Sequence, residues 1–168
     1  SGQLGNGPVN NGGSIVYYRT SNPTTVAGNY SGGGSLTFLG TGIAEQSSYT
    51  LSGTNTFTGP VSLSLARLQA ANAWSFGNAS SITVPLSSSL YAPVAATFNT
   101  PLTLSGAGWL ENAGRIGALR LASGANWAGN LTLAGNTRLS AHTDTASNVV
   151  SGTISGAYEL ETGTSAAG

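Results

Sequence analysis

The feature that most constrains this chain is a series of short segments in which apolar residues alternate with small polar ones. Such alternation buries one face of a β-strand and leaves the other face to solvent. Pairs such as Ser-Gly, Asn-Gly, Gly-Gly and Asn-Pro, which are typical of turns, separate the segments. The segments are residues 14–18, 35–39, 49–51, 61–65, 81–84, 102–104, 118–121 and 131–133. Helix signals are nearly absent, and the pattern predicts an all-β fold.

The strand-like segments also repeat at long range. Three alignments lie at offsets between 66 and 71 residues, and a further one lies at 124. The aligned pairs are 35–46 with 101–112, 51–63 with 121–133, 66–70 with 137–141 and, at the offset of 124, 30–36 with 154–160. Each repeat unit is thus about 66 to 71 residues long and made only of strands. A unit of this length predicts about three coils of a β-solenoid, with about 22 residues in each coil.

A β-solenoid also accounts for the abundance of small residues. Each strand pairs with the same strand one coil above and below, so the side chains fill only a narrow interior and small residues suit the corners. The fold we expect is a parallel β-helix of about seven coils, with residues 1–168 as one segment of a longer repeat array. The repeat units lie at about 30–100 and 101–154, with a partial third copy at 155–168. A β-sandwich predicts the same strand length and spacing and stays the alternative.

Fourteen positions carry the repeat, and we expect them to be structural. They are Leu36, Gly40, Gly42, Asn55, Phe57, Gly59, Leu63, Leu102, Gly106, Gly108, Asn126, Trp127, Gly129 and Leu133. Phe57 and Trp127 are repeat equivalents, which favours a packing role at a coil corner. The leucines predicted to face the interior are Leu36, Leu63, Leu102 and Leu131.

These motifs resemble the autotransporter-associated β-strand repeat. Residues 31–36 fit its Ser-Gly-x-Gly-x-Leu turn and strand, and residues 51–59 fit its Leu-x-Gly-x-Asn-x-aromatic-x-Gly block. The resemblance covers residues 10–84 and, more loosely, 101–163. It implies a right-handed parallel β-helix in the passenger of a large secreted protein that is anchored in the outer membrane. It therefore implies an extracellular or cell-surface location, with the repeat assisting export of the passenger.

Composition excludes several classes of function. Charged residues make up 6 % of the chain, against roughly 25 % in typical soluble domains, and they balance to a formal charge of zero. No Lys is present, so the basic surface that neutralises nucleic-acid phosphates is not expected. The absence of Cys excludes disulfides and thiolate metal sites, and no apolar run approaches the roughly 20 residues of a membrane-spanning helix.

The few titratable residues do not form a recognisable catalytic set. Glu45 and Glu111 occupy equivalent positions about three coils apart, which places them about 14 Å from one another along the stack. Two carboxylates at that distance are too far apart for a glycosidase pair, and both are predicted to be solvated turn residues. His142 and Asp144 are the only neighbouring base and acid, and no further ligand lies near them in sequence. We expect no catalytic, cofactor-binding or metal site.

The aromatic and arginine residues have two interpretations each. The aromatic residues would either pack in the interior or form a strip on which sugars stack. Arg67 and Arg138 are repeat equivalents inside strands, and each is predicted to be an exposed rung or an edge guard rather than a ligand anchor. The aromatic residues considered for the strip are Trp74, Trp109, Trp127, Tyr17, Tyr18, Tyr30, Tyr49, Tyr91 and Tyr158.

The sequence thus predicts a non-catalytic β-solenoid segment that serves as a rigid stalk of a secreted or surface-displayed protein. The expected partners are neighbouring coils of the parent chain or identical subunits end to end. Surface glycans and the host-cell surface are further candidate partners, and no nucleic acid is expected. The alternative from another class is a β-helix that binds or cleaves carbohydrate. It would show solvent-facing aromatic residues in a row, or several acids on one sheet.

Overall fold

Twenty short β-strands and no helix make up the described residues of the computed structural model, which are residues 6–20, 23–43, 46–112, 114–142 and 145–165. The strands are numbered in chain order and form three faces. Face A contains β2 (Ser14–Tyr18), β5 (Ser35–Leu39), β7 (Val61–Ser64), β9 (Ile82–Val84), β12 (Leu102–Gly106), the start of β17 (Leu131–His142) and β19 (Ile154–Ser155). Face B contains β3 (Thr24–Val26), β6 (Ser48–Leu51), β8 (Arg67–Ala70), β10 (Ser89–Ala92), β15 (Leu119–Leu121), the end of β17 and β20 (Leu160–Ser165).

Face C is shorter and less regular. It contains β1 (Val9–Asn10), β4 (Tyr30–Ser31), β11 (Thr97–Phe98), β16 (Asn126–Trp127) and β18 (Val149–Val150). Between β4 and β11, backbone hydrogen bonds continue the face without strands, from Thr56 N–H to the Tyr30 carbonyl and from Asn78 N–H to the Phe57 carbonyl. The remaining strands, β13 (Leu110–Glu111) and β14 (Gly114–Arg115), form an antiparallel pair.

Neighbouring strands within each face are parallel, and the chain runs from face C to face A to face B in every turn. This is a β-solenoid, as the sequence predicts, because a β-sandwich is built from antiparallel sheets. Faces A and B each hold seven rungs in the described residues, and six turns separate the first rung from the last. The seven coils expected from the sequence correspond to these seven rungs, which make six complete turns.

The turns are unequal in length. From one rung of face A to the next, the chain advances 20 residues between Ile82 and Leu102 but 29 residues between Leu102 and Leu131. The longest turn contains β13 and β14. The extra residues form this antiparallel hairpin instead of widening the coil.

The offsets near 70 correspond to three turns. Leu36 pairs with Val61, Val61 with Ile82, and Ile82 with Leu102, so the offset of 66 connects equivalent positions of face A. The offset of 124 is wrong, because it aligns Tyr30 of face C with Ile154 of face A.

Inward side chains form apolar ladders that run along the axis of the stack. On face A the ladder is Leu36, Val61, Ile82, Leu102 and Leu131, and all of these residues are buried. On face B it is Tyr49, Leu68, Leu90, Leu119 and Leu139. Leu63 and Leu133 are buried beside the face A ladder. The predicted inward orientation of Leu36, Leu63, Leu102 and Leu131 is confirmed.

An aromatic ladder fills the interior behind face C. The ring centroids of Phe76 and Phe98 lie 5.5 Å apart, and those of Phe98 and Trp127 lie 5.1 Å apart. Phe57 is also buried, and Trp127 donates its indole N–H to the Thr100 carbonyl at 2.9 Å. The predicted packing role of Phe57 and Trp127 is therefore confirmed, but Trp127 lies in a strand of face C rather than at a corner.

Glycine is required where the chain passes from face C to face A, because successive turns approach closely there. A Cβ atom on Gly59 would lie 2.0 Å from the Gly34 carbonyl oxygen, and one on Gly129 would lie 2.2 Å from the Thr100 carbonyl oxygen. No side chain fits at such distances. The two glycines are three turns apart, as the sequence alignment places them.

The buried asparagine of the repeat motif occurs in one copy only. The Asn55 side chain accepts the Tyr30 N–H at 2.8 Å and donates to the Ser75 carbonyl at 2.7 Å, so it joins three successive turns. The alignment of residues 51–63 with 121–133 already places Ala125 opposite Asn55. Ala125 occupies the buried place, and Asn126 lies on the outer side, where it accepts a hydrogen bond from Ser151.

Two tyrosine hydroxyls are held in the interior near the first rungs. Tyr17 hydrogen-bonds to Tyr30, and Tyr49 donates to the Leu39 carbonyl. Burial, reinforced by the hydrogen bond to Tyr30, raises the pKa of Tyr17 far above its usual value, and burial raises the pKa of Tyr49 to about 12. The fold therefore favours the neutral phenols.

Replacement of Leu102 by Ala is expected to reduce the free energy of unfolding by about 2 to 5 kcal/mol. It removes buried methyl groups and leaves a cavity between Ile82 and Leu131, which the neighbouring turns fill only in part. Urea denaturation followed by circular dichroism measures the change. Thr103→Ala is the matched control, because Thr103 points outward on the same strand and its loss should cost less than about 1 kcal/mol. Equal losses would contradict the inward assignment of Leu102.

Stability is expected to fall as pH rises above about 10. An unfolded tyrosine ionises near pH 10, whereas Tyr49 in the folded chain stays neutral to about pH 12. The contribution of each buried tyrosine to the free energy of unfolding is thus complete below pH 10. Above pH 10 the unfolded state loses the phenol proton, and the contribution declines by about 1.4 kcal/mol per pH unit for each tyrosine. Denaturant unfolding between about pH 9 and 11.5 measures this decline. The free energy of unfolding of Tyr49→Phe should fall less steeply with pH than that of the parent chain. The slope for Gln69→Ala should match that of the parent chain.

Candidate functional site

The main cluster of charged side chains lies on the outer side of face B. Arg67 of β8 and Arg120 of β15 alternate with inward leucines and therefore point outward. The hairpin of β13 and β14 folds back over them and brings Glu111 between the two guanidinium groups. One carboxylate oxygen of Glu111 pairs with Arg67, and the other lies 3.4 Å from Nη1 of Arg120.

Two aromatic rings complete this Arg–Glu cluster. The Arg67 guanidinium lies 5.0 Å from the Trp109 ring centroid and 6.0 Å from that of Tyr91, and the Arg120 guanidinium lies 4.9 Å from Tyr91. A guanidinium over an aromatic face is attracted by the ring quadrupole, and this attraction increases when water is excluded. Trp109 and Arg120 are almost completely buried. The cluster therefore fastens the hairpin to face B.

The prediction that Glu111 is a solvated turn residue is wrong. Its exposed fraction is 5 %, because the longest turn of the solenoid folds inward onto the strands rather than out into solvent. Arg67 is also not an exposed rung, since the hairpin covers most of it. Arg138 is three turns further on and is partly exposed, with Nε 3.5 Å from Glu161. Glu45 lies outside the described residues.

Sequence reasoning missed the roles of Arg120 and Tyr91 in this cluster. A usable signal is present, because Arg67 and Arg120 both stand at outward positions next to inward leucines in a chain that has only five arginines. A charge at such a position needs a partner once it is covered. The partner, Glu111, comes from a hairpin whose position no periodic pattern predicts.

The described residues contain no group of three or more His, Asp or Glu side chains that could hold a metal ion. His142 ends β17 and is half-exposed, and Asp144 lies outside the described residues. The described part of the chain also contains no helix long and apolar enough to cross a membrane.

Of the two interpretations of the aromatic residues, the strip on which sugars stack does not form in the described residues. Trp109 and Trp127 are at most 1 % exposed, and Tyr30 and Tyr49 are buried as well. The exposed aromatic residues lie on different parts of the molecule, because the repeat directs most aromatic side chains inward. They are Tyr18 on face A, Trp74 on face C and Tyr158 between β19 and β20.

Trp74 borders a groove of about 400 Å³ on the outer side of face C, which we call the Trp74 groove. The turn at 71–79 forms one side of it, and β11 with the residues after it forms the other. Its lining residues are Ala73, Trp74, Phe76, Gly77, Asn78, Ala79, Thr97, Phe98, Asn99 and Thr100. None of these ten carries a charge.

Two further cavities lie at the ends of the stack. One, of about 680 Å³, is lined by the first rungs, including Ile15, Tyr17 and Val26. The other, of about 240 Å³, is lined by the last rungs, including Leu139 and Leu160. In both, apolar residues that belong to the interior ladders are in contact with open space.

The chain matches no family model, and searches of curated proteins and of solved structures find no significant match. A proposal for its function therefore rests on the β-solenoid, the Arg–Glu cluster, the Trp74 groove and the two open ends.

Replacement of Glu111 by Gln is expected to reduce the free energy of unfolding by about 3 to 5 kcal/mol. The change keeps the size of the side chain but removes the carboxylate charge that pairs with the buried Arg120 guanidinium and with Arg67. Glu161→Gln is the matched control, because Glu161 is 61 % exposed and its pair with Arg138 should contribute less than about 1 kcal/mol. Denaturant unfolding measures both variants. A loss at Glu111 no larger than the loss at Glu161 would show that the cluster does not fasten the hairpin.

Proposed function

We propose that the chain is a non-catalytic, rigid β-solenoid segment of a secreted or cell-surface protein, of the kind found in autotransporter passengers. The observation that carries the proposal is the continuity of the stack, in which seven rungs pair in parallel on each of two faces and the five inner rungs share buried apolar ladders. A stack of this kind grows in one dimension and keeps its cross-section. Such a structure suits a stalk that holds other parts of a protein away from a surface.

The same architecture suits export. In the described residues, each strand of faces A, B and C pairs only with strands of the turns directly before and after its own, so folding can start at one end and proceed as the chain emerges from a narrow pore. Leu102 N–H, for example, bonds to the Asn130 carbonyl one turn later, at 2.8 Å. No Cys is present, so no disulfide-closed loop would obstruct passage of the unfolded chain. The resemblance to the autotransporter-associated repeat supports this interpretation.

The partners we propose are further coils at the two ends of the stack. In the described residues, β2 and β3 at one end and β19 and β20 at the other have a neighbouring strand on one side only. Free strand edges pair readily with other strands, and the open cavities there expose interior side chains. Coils of the parent chain or of a second copy would cover these surfaces.

Surface display tests the proposal. The segment is placed between an export signal and an outer-membrane barrel in a Gram-negative host, and display is measured as the protease-accessible fraction of the total product. Leu68→Asp, which places a charge in the interior ladder, should lower this fraction several-fold, because folding outside the cell would fail. Gln69→Asp changes an outward side chain on the same strand and should leave display unchanged. Equal display of the two variants would oppose a role of folding in export.

A further inference from the structure

We propose that the Trp74 groove is a binding site for a neutral polysaccharide chain. The inference goes beyond the structural role above and does not depend on it. Four features carry it, namely the exposure of Trp74, the rigidity of the turn that presents it, the neutral hydrogen-bonding side chains of the groove, and their continuation onto the neighbouring turns.

Trp74 differs from the other two tryptophans in its exposure. Its exposed fraction is 60 %, whereas Trp109 and Trp127 are buried. A large aromatic surface left in water has an unfavourable free energy, which the chain avoids at its other tryptophans. The flat, apolar indole face can receive the C–H side of a sugar ring, and the ring hydroxyls remain free to bond to polar neighbours.

The turn at 71–79 holds Trp74 in place before any ligand arrives. The Ser75 hydroxyl donates to the Leu51 carbonyl at 2.6 Å and accepts the N–H groups of Ala71 and Asn72, each at 3.0 Å. The Trp74 N–H bonds to the Asn72 side chain at 2.8 Å, and the Trp74 carbonyl accepts the Gly77 N–H at 3.0 Å. Because the backbone of the turn is already ordered, binding costs little backbone conformational freedom, which favours affinity.

The polar groups of the groove suit hydroxyl groups rather than charges. Asn78, Thr97 and Asn99 are exposed, and the structure shows no side-chain hydrogen bond from any of them to another described residue. Amides and hydroxyls both donate and accept, as sugar hydroxyls do. Phe76 and Phe98 also border the groove, although their rings belong to the interior aromatic ladder. Because no charged residue lines the groove, a uronic acid or a sulfated sugar would find no counter-charge there.

The outer side of face C extends this surface along the stack. Thr56 and Thr58 are exposed on the turn before Asn78, and Thr97 and Asn99 are exposed on the turn after it. Successive turns lie about 4.8 Å apart. Neutral side chains at that spacing on both sides of one tryptophan favour an extended chain of sugars, which contacts several turns, over a single sugar.

Fluorescence titration of the folded chain tests the proposal. Because the other two tryptophans are buried, quenching by acrylamide reports mainly on Trp74. The probes are cellohexaose, xylohexaose, mannohexaose, maltohexaose and laminarihexaose, each added to about 10 mM, well above a millimolar Kd. We expect at least one of them to protect Trp74 from quenching, and calorimetry to show binding of the same sugar. An oligogalacturonate of the same length, which is anionic, should not bind.

Variants separate the groove from the rest of the surface. Trp74→Ala should weaken calorimetric binding by about tenfold or more, since the stacking surface is lost. Tyr158→Ala removes another exposed aromatic residue, outside the groove, and should bind as the parent chain does. Circular dichroism should show that both variants stay folded. Absence of binding by every neutral probe, preferential binding of the anionic probe, or unchanged affinity of Trp74→Ala would each overturn the proposal.

Discussion

The structure depends on backbone hydrogen bonds that join each turn to the next. Leu102 N–H bonds to the Asn130 carbonyl and Leu131 N–H to the Thr153 carbonyl, both at 2.8 Å, so residues more than 20 positions apart in sequence are immediate neighbours in space. Parallel pairing in register places a side chain above its counterpart from the previous turn. An inward position therefore has to suit its counterparts, and the ladders of leucine, isoleucine and valine are the result.

The same constraint determines where charge can be placed. The interior is narrow and apolar, so a charged side chain there would be desolvated without a partner. Arg67 and Arg120 stand on the outer side of face B, and a hairpin covers them and supplies the carboxylate of Glu111. The hairpin is an addition to one turn and leaves the pairing of β12 with β17 and of β15 with β17 in place. A solenoid accepts such additions because it has free outer positions at every corner.

Outer positions are also where binding can be added to a structural element. The stalk that we propose depends on the inward ladders and on the glycines between face C and face A. It does not depend on which side chains lie on the outer side of face C. Trp74 occupies such an outer place, on a turn whose hydrogen bonds to Leu51 and Asn55 belong to the stack itself. The stack thus supplies a rigid support for the groove, and the groove does not disturb the stack. The structural role and the sugar-binding role are compatible for this reason.

The sequence by itself determined the strand class, the three-turn period and the inward leucines, because alternation and repetition are local patterns that a parallel stack reproduces in every turn. It also placed Gly59 and Gly129 at equivalent positions. The outward hydrogen bond of Asn126, the burial of Glu111 and the contrast between Trp74 and the other tryptophans were decided only by the tertiary structure. These depend on where one irregular turn folds and which outer surface it covers. Such contacts join residues of different turns without any period, so no pattern in the sequence records them.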